Sequence, residues 1–342
     1  MPEDVVLNIT MPVYNRLHFT QASLLALRKT RSAIPFSVTV VDNGSDADLV
    51  DKLREFKKIG VIDKLFLLPE NMGISCAANL GWLMTEAPFY MKLDNDTLFK
   101  RQDWPDRLFR LWSHGQPLSN LGGAYTEEML LEHPGALHTP DGILGICHSN
   151  LGGQAIIVPR AVSDLLGYWN EDYGLYGAED GDYGKRMKQA GLPQYYYLGP
   201  DYFEDLSSQE EIVQTYYSRS FDRQAEYWSL FRDGQGGTGL FYLNEYLYQM
   251  CIRNWRVPLR YEVLDLSGDG RVKLGERQDY ELVREALRKS KEAVDEKLKS
   301  GREAEIYSQD FVAALTELWE GIGQGMSGFY ESLAALEKEK EQ

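Results

Sequence analysis

The chain has 342 residues, a net charge of −16 and a sequence pI of about 4.8. This acidic balance argues against general nucleic-acid binding, which depends on basic patches that meet phosphates. Hydrophobic residues make up 43%, as in ordinary soluble globular proteins, and no apolar run reaches the roughly 18 residues of a membrane span. We therefore expect about two domains, no nucleic-acid partner and no membrane span.

The N-terminal segment and the cysteines both predict a cytoplasmic protein. The N-terminal segment MPEDVVLNIT carries two acids and no basic stretch, which is not typical of a signal peptide. The cysteines, Cys76, Cys147 and Cys251, are far apart and match no metal spacing. Isolated cysteines of this kind are typical of buried thiols in a reducing compartment.

The N-terminal half alternates predicted strands and helices. Strands are predicted at 4–11, 36–41, 65–68 and 88–93, with helices between them at 16–30, 46–57 and 73–86. This order predicts an α/β fold with a mainly parallel, doubly wound sheet, in which ligands bind beyond the carboxyl ends of the strands. Polar turns at 12–15, 42–45 and 94–96 follow three of those ends, so we expect them to converge.

The stretch MKLDNDTLFK places Asp94 and Asp96 directly after a buried strand. One explanation is a simple turn, because Asp side chains bond nearby backbone groups. The other is a divalent cation that binds the carboxylates and holds a phosphate. An acidic chain that handles a phosphate ligand needs such a cation, which favours Mn²⁺ or Mg²⁺ at this position.

Four ordered motifs resemble those of family-2 glycosyltransferases of the GT-A fold: MPVYN, VDNGS, ENMGISCAANLGW and LDNDT. The resemblance covers roughly residues 5–210 and implies a Rossmann-like, mainly parallel sheet flanked by helices. It implies that Asp42 contacts the base of a nucleotide-sugar donor, that Asp94 lies by the ribose or the metal, and that Asp96 binds the metal. The other donor-binding residues expected are Pro12, Tyr14, Asn15, Asn71, Gly73, Asn79 and Asn95.

The segment around Asn71, Gly73 and Asn79 has its own chemical rationale. Small residues at the start of a helix permit close backbone approach, and a helix N-terminus favours anions. Plain N-capping with tight helix packing is the alternative explanation.

A second acidic cluster lies in GLYGAEDGDYGKRM, residues 174–187. Acids in the first turn of a helix complement its dipole, which is one explanation. The segment also resembles the G-x-E-D motif of inverting glycosyltransferases. That resemblance implies that Asp180 is the general base and that Glu179 orients the acceptor or the base. Acceptor contacts are expected from Tyr176 and Gly177, and from Gly153 at the strand predicted over 152–160.

The resemblance also bears on the third metal ligand. The family often has a histidine after the next strand, but YYYLGPDYFEDLSS contains none. Asp205 or Glu204 stands near that place, and either carboxylate could bind a hard metal.

The alternation ends near residue 210, which predicts a catalytic domain over 1–210 and a mostly helical region over 211–342. Residues 209–256, 280–298 and 303–338 are expected to be helical. The last segment has an apolar face that either docks on the chain's own core or forms a homo-oligomer interface.

The segment DLSGDGRVKLGE, residues 265–276, matches the spacing of an EF-hand calcium loop. A β-hairpin of YEVLDL and RVKL is the alternative. The Ca²⁺ ligands expected in the loop are Asp265, Ser267, Asp269, Arg271 and Glu276.

Together these features favour an inverting, metal-dependent hexosyltransferase. It would use a nucleotide diphosphate donor, most simply a UDP-sugar, and a glycan, lipid-linked or protein acceptor. A sugar-nucleotide pyrophosphorylase is an alternative, although MPVYNRLHF lacks the glycine-rich loop it would need. A non-catalytic carbohydrate-binding or scaffold protein is another, although both acid pairs are intact.

Overall fold

The computed structural model describes residues 5–123, 135–148, 151–198, 202–206 and 239–322. The strands are β1 Leu7–Val13, β2 Phe36–Asn43, β3 Lys64–Leu68, β4 Phe89–Leu93, β5 Thr97–Phe99, β6 Asn120–Gly123, β7 Leu137–Thr139, β8 Gly142–Cys147, β9 Ala155–Pro159, β10 Gln194–Leu198, β11 Phe203–Asp205, β12 Tyr261–Leu266 and β13 Val272–Glu276. The helices are α1 Leu17–Arg28, α2 Ala47–Lys58, α3 Ile74–Leu83, α4 Trp104–Trp112, α5 Arg160–Leu166, α6 Glu179–Gln189, α7 Gly239–Gln249, α8 Tyr280–Lys299, and α9 over 309–322.

A nine-stranded sheet forms the centre of the described fold, in the order β3-β2-β1-β4-β9-β6-β10-β8-β7. β1 pairs in parallel with β2 and β4, and β2 pairs in parallel with β3. Only β9 and β8 run against the other strands of this sheet. The predicted α/β fold with a mainly parallel sheet is confirmed. β1 is buried along its whole length, which explains why it appears in the sequence as a nearly continuous apolar run.

Helices cover both faces of the sheet. One core cluster joins Met91 and Leu93 of β4 to α1, α2 and α4. The other joins Tyr90 of β4 to α3, α5 and α6. Because side chains alternate along a strand, Lys92 leaves β4 on the same face as Tyr90 and therefore points towards α6.

The C-terminal helices form a further core with the part of the chain that contains the large sheet. Residues of α7, α8 and α9 pack together with Tyr173, which lies in a 3₁₀ turn at Glu171–Tyr173. The described part of the apolar face, including Leu315 and Trp319, docks on this core. One helix beginning at residue 303 was the wrong prediction, because Glu303–Tyr307 is a separate 3₁₀ turn and α9 begins at 309. The predicted helical segments at 209–238 and 323–338 lie outside the described residues.

The calcium-loop prediction for residues 265–276 is wrong, and the alternative hairpin is confirmed. β12 and β13 pair antiparallel, with Glu276 opposite Tyr261 at the end away from the turn. Strand rise of about 3.4 Å per residue carries Glu276 away from the turn, so the expected ligands do not surround one point. The five residues concerned are Asp265, Ser267, Asp269, Arg271 and Glu276.

Ion pairs occupy the carboxylates of that hairpin. Glu276 accepts from Arg260 at 2.6 Å and from Arg284, while Asp269 pairs with Arg271 at 3.0 Å. The turn docks on β3, where Leu67 N donates to Gly270 O at 2.8 Å. The hairpin thus covers an edge strand that would otherwise expose unpaired backbone groups.

Two smaller expectations concern the helices and the cysteines. None of the helices in the described ranges combines the length and the apolarity needed to cross a bilayer. Cys76 and Cys147 are buried as expected. Cys251, which follows α7 and has left-handed backbone, is exposed.

Candidate active site

The three polar turns meet at one edge of the sheet. Asn15 N donates to Ser45 Oγ at 2.8 Å, and Asp46 N donates to Asn15 Oδ1 at 2.9 Å. Asn95 Nδ2 reaches Asn15 O at 3.4 Å. Asn15 and Arg16 both adopt left-handed backbone, with φ of 55° and 60°, a conformation that non-glycine residues hold mostly where the surrounding structure requires it. The convergence expected from the topology is therefore present.

Asp42, the penultimate residue of β2, has a buried carboxylate. Its side chain is 1% exposed, and Oδ2 accepts from Ser45 N at 3.3 Å. Oδ1 has no hydrogen-bond partner among the described residues. Burial raises the pKa of Asp42, and an unpaired buried acceptor suits a ligand that donates an N–H group. Pro12 lies opposite Val41 in the neighbouring strand, and Tyr14 follows it, half-buried.

Two cations compensate the acid pair that follows β4. Arg16 Nη1 lies 2.5 Å from Asp96 Oδ2, and Lys92 Nζ donates to Asp94 Oδ1 at 2.9 Å. Burial raises the pKa of Asp94 to about 6, although Lys92 opposes this shift. Neither cation was predicted from the sequence. Lys92 could have been found from strand alternation, since it precedes Asp94 by two residues and shares its face.

Lys92 also connects the two acidic motifs. Its side chain is 1% exposed, and Nζ donates to Gly153 O at 2.7 Å and lies 3.9 Å from Glu179 Oε1. Gly153 N in turn donates to Asp180 Oδ2 at 3.1 Å. A Cβ atom at Gly153 would lie 2.8 Å from Lys92 Nζ, so the glycine permits this close arrangement. The structure therefore brings the predicted donor and acceptor sites together.

Glu179 and Asp180 begin α6 in different environments. Asp180 is partly exposed and Oδ1 accepts from Gly181 N at 2.7 Å. Glu179 is 4% exposed, and its Oε2 has no partner in the described part of the chain. Burial raises the pKa of Glu179 to about 7, with Lys92 opposing the shift. A partly exposed carboxylate beside a buried one fits the predicted division between a base and an orienting residue.

Asp182 faces the core instead of the site. Its carboxylate pairs with Arg186 at 2.8 Å and accepts from the hydroxyls of Tyr173 and Tyr248 at 3.0 and 3.2 Å. Both members of the ion pair have side chains that are wholly buried. Asp182 therefore links α6 to the C-terminal helices.

The predicted donor residues before and within α3 serve mainly to hold loops. Asn71 Oδ1 accepts from Asn43 Nδ2 at 2.9 Å and from Gly73 N at 3.0 Å. Asn79 is fully buried and bonds Trp169 on both sides of its amide, as well as Glu171 Oε1 at 2.8 Å. Since these contacts use both ends of the Asn79 amide, they support a structural role, and a donor contact of Asn79 stays a prediction.

Gly73 lies where the loop before α3 contacts the loop before α6, which contains Gly174 and Leu175. Its φ is +95°, and a Cβ atom there would lie 2.1 Å from Gly174 O. Ile74 N also donates to Leu175 O at 3.1 Å. The acceptor candidates Tyr176, which is 47% exposed, and Gly177 follow in the same loop.

We expect Gly73→Ala to lower the free energy of unfolding by more than Gly60→Ala. Gly60 also has a positive φ of +76°, but a Cβ atom there meets nothing within 4 Å. Gly60→Ala reports backbone strain alone, about 1–2 kcal/mol, whereas Gly73→Ala adds a backbone clash. Urea unfolding of the two variants measures the difference, and equal losses would contradict the close approach of the two loops.

The third metal ligand remains a prediction between Asp205 and Glu204. Asp205 lies opposite Thr97 in the β5–β11 ladder, and Leu206 N donates to Asp96 O at 2.8 Å. Glu204 pairs with Lys100 at 3.5 Å in an exposed position. Neighbouring residues of a strand face opposite sides, so only one of the two can face Asp96. In the described ranges, no three His, Cys, Asp or Glu side chains form a metal-binding group.

The chemistry of the acid pair nevertheless fits a divalent cation. Mg²⁺ is commonly held by one or two carboxylates, with substrate phosphates and water completing the shell. Asp94 and Asp96 supply such oxygens. Burial raises the pKa of Asp94, and a nearby cation would lower it again by stabilising the carboxylate.

Residues 8–129 match the sequence model of the family described as "Glycosyl transferase family 2". The matched segment includes Asp42 in β2 and the turn between β4 and β5 that contains Asp94 and Asp96. This part of the chain is thus similar to that family, and it contains most of β1 and the strands β2 to β4 of the mainly parallel α/β sheet. No curated protein matches the chain in sequence.

Several solved structures are similar to the chain at low identity. S. aureus TarS has 13% identity and a TM-score of 0.44, covering 72% of this chain and 43% of its own. The mannosyltransferase PcManGT from Pyrobaculum calidifontis, in complex with GDP-Man and Mn²⁺, has 12% identity and a TM-score of 0.48, covering 94% and 87%. GalNAc-T7 with UDP, GalNAc and Mn²⁺ has 13% identity and a TM-score of 0.43, covering 58% and 43%. This chain thus spans less than half the length of TarS and GalNAc-T7.

Proposed function

We propose that this protein transfers a sugar from a nucleotide diphosphate donor to an acceptor hydroxyl with inversion of configuration. One observation supports this most directly. Three hydrogen bonds run from Asp94 through Lys92 and Gly153 to Asp180. They hold the donor-side acid pair and the base candidate in one site, as a direct displacement between donor and acceptor requires.

The donor's nucleotide is assigned to the edge formed by β1 and β2. Asp42 offers its unpartnered Oδ1 to an N–H group of the base, which the N3–H of uracil can supply, and we propose a UDP-sugar as the donor. Pro12, Tyr14 and Asn15 line the turn beside it, and Asn95 joins that turn to the acid pair. Gly73 and Asn71 shape the loop that faces the ribose side.

The metal is assigned to Asp94 and Asp96, with Asp205 (or Glu204) as the third protein ligand. When bound, Mn²⁺ or Mg²⁺ would neutralise the charge that develops on the leaving diphosphate. Arg16, which pairs with Asp96 in the protein alone, supplies a further positive charge at the same place. The acidic chain thus combines one arginine with the acid pair to hold a phosphate ligand.

Asp180 is assigned as the general base. It accepts the proton of the acceptor hydroxyl while that oxygen forms a bond to the anomeric carbon. The bond from this carbon to the diphosphate oxygen breaks, and its electron pair stays with the leaving group. Attack on the face opposite the leaving group inverts the configuration. Tyr176, Gly177 and Gly153 are assigned to the acceptor, which we propose is a glycan, a lipid-linked molecule or a protein.

The proposed catalytic unit spans 1–210, and the region 211–342 supports it. Tyr280 Oη donates to Asp172 at 3.0 Å, and Arg260 N donates to Glu171 at 2.7 Å. These contacts fix the segment that leads to the acceptor loop. A cytoplasmic location is a further proposal from the cysteine content, and a homo-oligomer formed through the C-terminal helices stays a proposal.

We expect Asp96→Ala to abolish metal-dependent donor binding, since it removes a ligand oxygen and leaves Arg16 without this acid. Calorimetric titration with UDP and UDP-sugars, with and without Mn²⁺, measures the effect. Asp295→Ala is a matched control, because Asp295 pairs with Lys291 on α8, outside the proposed donor site. If Asp96→Ala binds donor and Mn²⁺ as the native protein does, the metal assignment is wrong.

A further inference from the structure

Gln154 is placed beside the acid pair by the register of β4 and β9. The ladder pairs Lys92 with Ile156 and Leu93 with Ala155. Asp94 N then donates to Gln154 O at 2.8 Å, which continues the same pairing by one residue. Directly opposed residues of an antiparallel pair project from the same face. Gln154 therefore leaves the sheet on the face of Lys92 and Asp94.

That face is the one covered by α6. Ile156, two residues after Gln154, packs in the core cluster that contains Tyr183 and Met187 of α6. Glu179 and Asp180 form the first turn of this helix. The Gln154 side chain thus lies in the layer between the acid pair and the start of α6, where donor and acceptor must meet.

The Gln154 amide is buried without hydrogen bonds. The residue is 7% exposed, and neither Nε2 nor Oε1 has a partner among the described residues. Asn8, a buried amide in the same sheet, bonds Thr10 and Gly81 through Nδ2 and Thr39 through Oδ1. Leaving a buried amide unpaired lowers stability, so an amide held in this state within a site indicates a ligand that completes its hydrogen bonds.

A second unpartnered group lies in the same layer. Glu179 Oε2 is buried and lacks a partner in the described chain. Together the two side chains offer an amide donor, an amide acceptor and a carboxylate acceptor. Hydroxyl groups of a sugar both donate and accept, so they satisfy all three. A carboxylate on the sugar would instead be repelled by the carboxylates of Asp94, Glu179 and Asp180. Lys92 does not offset this repulsion, because it is already bonded to Asp94 and to Gly153 O.

We infer that Gln154 determines sugar specificity by hydrogen-bonding the hydroxyl groups of a neutral hexose on the donor, and that the site rejects uronate sugars. This inference rests on the proposed function, because it assumes a nucleotide-sugar donor. It adds a substrate class, neutral hexoses, and a residue outside the acidic motifs that selects it.

Gln154→Met tests the inference because methionine keeps the size of the side chain and removes the amide. We expect a melting temperature equal to or above that of the native protein, since no hydrogen bond within the described chain is lost. Affinity for UDP with Mn²⁺ should stay within about twofold, while affinity for UDP-glucose or UDP-galactose falls by about tenfold or more. The native protein should bind UDP-glucuronate at least about tenfold more weakly than these hexose donors.

Asn8→Leu is the control for an amide with a structural role, and it should lower the melting temperature. If Gln154→Met lowers it similarly and leaves the ratio of UDP-hexose to UDP affinity unchanged, Gln154 is structural and the inference is overturned. Equal native affinity for UDP-glucuronate and UDP-glucose would also overturn it. Failure of the native protein to bind any of the nucleotides with Mn²⁺ would instead refute the proposed function itself.

Discussion

Asp180→Asn is expected to lower sugar transfer by a factor on the order of 10² or more, the usual range for loss of a general base. Asparagine keeps the size of the side chain and can still accept from Gly153 N through its amide oxygen, but it cannot take a proton. Donor affinity should change by no more than about twofold, because Asp42, Asp94 and Asp96 carry that binding in the proposed site. Single-turnover transfer and donor titration on the same variant measure the two quantities separately.

Glu179→Gln is the matched comparison for this experiment. If Glu179 were the base, its raised pKa of about 7 would give transfer a rising limb near pH 7, and Glu179→Gln would remove that limb. If Asp180→Asn weakens donor binding and spares turnover of bound donor, Asp180 belongs to the donor site. The base would then be Glu179.

Asp182→Ala should lower the free energy of unfolding by about 3–5 kcal/mol, the usual cost of removing one partner from a buried ion pair. The reason is that Arg186, also wholly buried, loses its counter-charge, and the hydroxyls of Tyr173 and Tyr248 lose an acceptor. Urea unfolding monitored by fluorescence and circular dichroism measures this loss.

Glu281→Ala is the control for an ion pair on the surface. Glu281 pairs with Arg284 on an exposed part of α8, and such pairs contribute about 0.2–1 kcal/mol. A native-like unfolding curve for Asp182→Ala, combined with loss of transfer, would make Asp182 a member of the site and not of the core.

The order of strands and helices in the N-terminal half could be predicted because its strands are buried on both faces. Such strands are nearly continuous apolar runs, and each ends at a polar turn. The convergence of Asn15, Ser45 and Asn95 followed as well, since carboxyl ends of parallel strands lie at one edge of the sheet. The resemblance of the motifs to family-2 glycosyltransferases, whose sequence model matches residues 8–129, depended on the same ordered turns.

Local spacing could not decide between structures that share the same residues. The stretch from Asp265 to Glu276 contains a turn glycine and acids at calcium-loop spacing, but the same glycine serves a hairpin turn. Contacts outside the segment favour the hairpin over the calcium loop. Gly270 docks on Leu67 of β3, and Arg284 binds Glu276. Asn79 is similar, because its partners Trp169 and Glu171 are about 90 residues away in the chain.

The sequence by itself thus determined the α/β alternation, the family motifs and the residues of both acid pairs. Only the tertiary structure showed how the pairs are joined. β9 inserts antiparallel beside β4, and this register sets Gly153 and Gln154 against Lys92 and Asp94. Register between strands distant in sequence depends on how whole faces of the sheet pack. The residues next to Lys92 or Gln154 in the sequence therefore could not predict it.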